Sequence, residues 1–142
     1  KNLKPNQSLP EKFYIDRSDS TSGRAHLRKI TNEHEVKNLL KKNNYKFLSL
    51  SNLKFIDQVK LFKYAKSIVG LHGAGFANIV FCSPNTKILE LKPHSSGDVI
   101  KNLSINNNLI YSDISIHAAN NNNNDQFGHI EIPIDVLKEK IC

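Results

Sequence analysis

The chain has little of what most specialised classes require. Its only cysteines, Cys82 and Cys142, form neither a disulfide framework nor metal-ligand spacing. Cys82 lies in an apolar run, where buried thiols are common. No segment approaches the roughly 18 consecutive apolar residues of a membrane span, and none has a signal-peptide pattern. His26, His34, His72, His94, His117 and His129 are scattered, with no pair at helix-facing spacing beside Cys or Asp, so no metal site is expected. No basic helix carries interleaved aromatics, which argues against nucleic acid as a partner. The chain opens on Lys1 and not on methionine, so it reads as a piece of a longer protein.

What is present suits one ordinary domain. The 142 residues are 39% hydrophobic and 23% charged, enough for a core. A net charge of +7 favours an anionic partner: nucleic acid, a phospholipid surface or a phosphorylated small molecule. The lysines are dispersed, only Lys41 and Lys42 being adjacent, so a solvated basic surface accounts for them equally well. The sequons at Asn6 and Asn102 are expected by chance in an asparagine-rich chain and assign no compartment.

Residues 1–12, polar with two prolines, read as a linker into a single domain at 13–142. Phe13-Tyr14-Ile15 suits a buried strand ending near Arg17, followed by a polar loop. Val36, Leu39 and Leu40 mark a helix over about 33–43, with Asn32 and Glu35 placed as a capping box. Phe47–Leu50 reads as a strand, and Phe55, Val59 and Phe62 as the buried stripe of a helix. Ser67–Leu71 is a strand, Gly73–Phe81 a short helix stopped by Pro84, and Lys87–Leu91 another strand. Ser95 or Ser96 can cap a helix through Leu103, and Leu109–Ile116 is strand-like. An asparagine-rich loop fills 118–127, and Pro133 opens a last helix. This alternation predicts an α/β, Rossmann-like fold: a mostly parallel sheet with helices on both faces. Ligands of such sheets bind at the carboxyl ends of the strands.

The segment from Ser67 to Asn78 is a strand that turns through Gly73 and Gly75 into a helix. Glycines there let backbone N–H groups and the positive end of a helix approach an anion, a diphosphate above all. The dinucleotide fingerprint Gly-x-Gly-x-x-Gly is incomplete, because Asn78 stands where its third glycine belongs. A ligand-free tight turn, or an NAD-type oxidoreductase domain, remains compatible with spacing alone.

Several motifs in order narrow the choice. LHGAGFANIVFCSP at 71–84 followed by NTKILELKP at 85–93 resembles the signature of glycosyltransferase family 61: a His-Gly-Ala-Gly turn, a helical Asn, a Pro loop and a strand ending in Glu-Leu. Upstream, Tyr14-Ile15-Asp16-Arg17 and then Arg28 to Glu33 are similar to that family's strand-Arg and Arg/Asn-Glu segments, and Phe55–Phe62 to its helix before the glycine turn. The resemblance covers roughly 12–116. Asp16 departs from it, standing where members often carry Ser, and the loop to Arg24 is longer than usual.

The resemblance implies the C-terminal half of a GT-B-type enzyme, transferring sugar with inversion from a nucleotide sugar to a glycan or protein acceptor. Matching positions imply donor binding by Arg17, Arg28, His72, Gly73, Ala74, Gly75, Asn78 and Glu90. Gly73, Ala74 and Gly75 would offer backbone N–H groups, the arginines charged forks, and Glu90 an acceptor for ribose hydroxyls. Asn78 fits equally a role in tying the loop together. No cofactor or metal is implied beyond the nucleotide sugar. No side chain presents itself as general base, a role the resemblance leaves to a missing N-terminal half. A degenerate, non-catalytic transferase module is the remaining alternative.

Overall fold

Successive residues of a strand point to opposite faces of its sheet, and here the apolar positions follow that period on two faces at once. The computed structural model describes residues 8–17, 29–117 and 129–142. The strands are β1 (Lys12–Ile15), β2 (Lys46–Leu48), β3 (Ser67–Leu71), β4 (Lys87–Pro93) and β5 (Ile110–Ile116). The helices are α1 (Glu33–Lys42), α2 (Phe55–Tyr64), α3 (Val99–Asn106) and α4 (Ile134–Ile141), with 3₁₀ segments at Leu50–Asn52 and Ala74–Phe81. The strands form one sheet in the order β2-β1-β3-β4-β5, and every pairing is parallel. The fold is therefore Rossmann-like α/β.

Tyr14, Val69, Leu71, Leu89, Leu91 and Ile114 face one core, with Val36 and Leu40 of α1 and Leu137 of α4. Phe13, Ile15, Ile68 and Ile88 face the other, with Leu61 and Phe62 of α2, Phe76 and Ile79 of the 3₁₀ helix, and Ile100 of α3. Fully burying one such aliphatic side chain contributes about 1.5–3 kcal/mol, so the two layers together anchor all five strands. Part of the asparagine richness is conformational. Asn44 and Asn108 take left-handed φ values of 67° and 58° just past α1 and α3, where a helix commonly ends on Gly or Asn.

Several expectations change. Asn32 makes no cap hydrogen bond with its side chain. Its amide instead grips the backbone of Ile132 in both directions, Nδ2 donating to the carbonyl at 2.8 Å and Oδ1 accepting from the N–H at 2.9 Å. This ties the start of α1 to the segment before α4, beside a parallel bridge between Ile30 and Ile130. The stripe of α2 is rotated: Phe55 is 66% exposed, while Asp57, Leu61 and Phe62 are buried. The cap position of α3 is Asp98, not Ser95 or Ser96. Strand β2 stops at Leu48 and β4 continues to Pro93. Lys12, the last residue of the expected linker, already pairs in the sheet. The expected asparagine-rich loop at 118–127 and Arg28 lie outside the described residues.

Candidate functional site

In a doubly wound sheet the crevice opens where neighbouring strands send their connections to opposite faces. Here α1, after β1, packs on one core, and the 3₁₀ helix after β3 packs on the other. The carboxyl ends of β1 and β3 therefore flank the switch point, and they carry Arg17 and the His72–Gly73 turn.

These two ends touch. Arg17 Nη1 lies 3.4 Å from the carbonyl of His72, and a Cβ built on Gly73 would sit 3.4 Å from the same nitrogen. A side chain at 73 would thus lie against the guanidinium. Gly75 has a different reason to be glycine. Its Cβ would fall 3.1 Å from Ile15 Cγ2, so its absence lets the 3₁₀ helix seat on β1. Gly70 does the same for the Phe76 ring, which would be 3.1 Å from a Cβ there. The 3₁₀ helix starts at Ala74, directly over the switch point, where the first N–H groups of any helix lack partners within it.

Asp16, the departure from the family pattern, is neutralised. Lys37 of α1 donates to its carboxylate at 2.9 Å and lies above the rings of Tyr14 and Phe47. Behind this pair the Tyr14 hydroxyl donates to Glu33 at 3.0 Å, and burial first, then the Glu33 carboxylate, push its pKa well above the usual range.

The second part of the site spans β3, β4 and β5. Glu90 is 0% exposed, yet both of its oxygens are engaged. Oε2 lies 2.5 Å from His72 Nδ1, and Oε1 accepts from the Tyr111 hydroxyl at 2.7 Å. Burial, followed by the hydrogen bond to Glu90 and its charge, raises the Tyr111 pKa far above its ordinary value. Beyond Glu90 on the same face, the buried Lys92 ammonium lies 3.6 Å from Asp98 and 3.9 Å from Asp113. Just past the ends of β4 and β5 the His94 and His117 rings lie 4.4 Å apart between centroids, tilted by 35°.

The structure thus brings Arg17, His72, Gly73 and the start of the 3₁₀ helix together. Glu90 sits beneath them with no exposed oxygen, so any part it takes in binding runs through His72 and not through direct contact with a ribose. Asn78 ties the loop: its amide donates to Gln58 Oε1 at 2.9 Å, while Gln58 donates to the carbonyls of Leu50 and Leu53 at 2.9 and 3.1 Å. Tyr111 and Gln58 escaped sequence reasoning. For Tyr111 the missing signal is strand register, which a strand-like run over Leu109–Ile116 does not supply. Among the described residues, no three His, Cys, Asp or Glu side chains converge as a metal site.

Against known protein families, residues 1–89 match the model of Glycosyltransferase 61. The match takes in Arg17, Arg28 and the whole His72–Asn78 turn, and ends within β4 at the residue before Glu90. No curated protein matches the chain. With the family's turn seated at the switch point of a Rossmann-like sheet, and the match covering more than half of the 142 residues, the chain belongs to glycosyltransferase family 61.

Proposed function

We propose that this chain binds the nucleotide-sugar donor of a family 61 glycosyltransferase, with the diphosphate across the carboxyl ends of β1 and β3. The observation that carries the reading is the Arg17 guanidinium laid against the His72–Gly73 turn at the switch point. Sugar transfer builds negative charge on the departing nucleoside diphosphate, and groups aimed at that charge lower the barrier. Arg17 supplies a fixed cation with a planar donor fork, Gly73, Ala74 and Gly75 supply backbone N–H groups at a helix start, and His72 a side-chain donor. Arg28, outside the described residues, is assigned to the same diphosphate only by its match to the family pattern.

In this reading the chain is the C-terminal, donor-binding half of a GT-B-type enzyme. The acceptor, a glycan or a protein hydroxyl, attacks the anomeric carbon from the face opposite the diphosphate and inverts it. We assign the base that takes its proton to the N-terminal half, since among the described residues Asp16, His72 and Glu90, the carboxylates and imidazole nearest the turn, are already paired. Calorimetric titration with UDP, GDP, CMP and NAD tests the reading. One nucleoside diphosphate should bind, and Arg17→Ala should weaken it at least about tenfold. Preference for NAD would overturn the assignment, and so would equal binding by the variant.

A further inference from the structure

We propose that Tyr111 and Glu90 are positioning residues for His72, forming a relay across three strands that holds the imidazole in one orientation and one protonation pattern at Nδ1. The proposal rests on the donor-binding reading only in its last link, the effect on the nucleotide.

The chemistry follows from the surroundings of Glu90. Its carboxylate is fully buried, and an ionised carboxylate away from water is tolerated only when its oxygens are matched by donors. The donors come from the two neighbouring strands, Tyr111 O–H from β5 and His72 Nδ1–H from the end of β3. On the β3 side Glu90 is in register with Gly70, and the Phe76 ring fills the space above that glycine. The carboxyl torsion of a glutamate is intrinsically soft. Two engaged oxygens remove that freedom, and the imidazole inherits the constraint. With Nδ1–H directed inward, Nε2 is the ring's other hydrogen-bonding atom, away from Glu90; it donates to an anion only in the doubly protonated ring, whose charge the Glu90 carboxylate balances. Tyr111 touches nothing at the crevice in this scheme and acts through Glu90.

Long-range proton–nitrogen spectra of the histidine-labelled 142-residue chain near neutral pH test the relay directly. His72 of the unmodified chain should carry a proton on Nδ1 in a single pattern. Tyr111→Phe and Glu90→Gln should each convert this to an averaged pattern, and each should weaken UDP or GDP about tenfold while far-ultraviolet dichroism stays unchanged. An unprotonated Nδ1 in the unmodified chain overturns the relay, even where a variant fails to fold. An unchanged His72 pattern and unchanged affinity in a folded Tyr111→Phe overturn it too. If neither UDP nor GDP binds the unmodified chain, the donor-binding reading fails by itself, and the nitrogen spectra still decide the relay.

Discussion

The two ends of this sheet are both polar, and they are built differently. At the amino end, Lys12, Lys63, Lys66 and Lys87 line a groove of about 860 Å³ together with Tyr64 and Pro84. Its charges are superficial: Lys66, 69% exposed, pairs with Glu11 at 2.8 Å, and Lys63 leans over the Tyr64 ring. At the carboxyl end a buried carboxylate, a half-buried arginine and a glycine turn converge on one backbone segment. Exposed lysine pairs contribute little and are screened by salt, whereas buried, fully paired groups hold their geometry. Positive charge therefore does not locate the site in a chain carrying +7. The proposed site rests instead on committed polar groups at the switch point.

The sharpest way to break this contrast is to remove one polar group from each end. Glu90→Ala removes the shared partner of two half-buried groups, the Tyr111 hydroxyl and the His72 imidazole, and should lower the unfolding free energy by about 2–4 kcal/mol. Lys66→Ala should change it by less than about 0.5 kcal/mol. Urea denaturation measures both, and similar losses would erase the distinction. In binding, Arg17→Ala should weaken a nucleoside diphosphate at least about tenfold, while Lys63→Ala and Lys87→Ala should leave it within about twofold. A subtler separation lies in alkali. The Tyr111 and Tyr14 hydroxyls are raised in the folded chain above their ordinary 10.0. The unfolded chain then loses these protons first, so stability should be level below about pH 10 and fall above it. Tyr111→Phe should lessen that fall, as urea midpoints across the alkaline range would record. The smallest effect concerns the thiols. Burial pushes Cys82 up to about 12, so iodoacetamide should label the exposed Cys142 first.

Much of the fold was legible because local patterns sufficed. The run Ser67–Leu71 and the Pro133 signal before α4 were readable directly, since period and punctuation act within a few residues. The turn at His72 to Gly75 was legible as an ordered motif. Features that depend on partners distant in sequence were not. Asn32 looks like a cap until Ile132, a hundred residues on, offers a better pair of hydrogen bonds. Phe55 fits a helical stripe by spacing, yet α2 turns Asp57 and Leu61 inward. Glu90 was named from sequence as an acceptor for ribose hydroxyls, and its engagement with Tyr111 required the register of β4 with β5. Gly75 was assigned to anion approach, and only the packing of Ile15 beneath it reveals a second demand for glycine.

The most direct measurement is amide chemical-shift mapping of the chain titrated with UDP and with GDP. If the diphosphate binds at the switch point, one of the two nucleotides should move the N–H signals of Gly73, Ala74 and Gly75 first and furthest, leaving Lys63 to Lys66 and Asn85 to Lys87 unmoved. Shifts confined to the amino-end groove, with the glycine turn silent, would place the anion site at the wrong end of the sheet for donor binding.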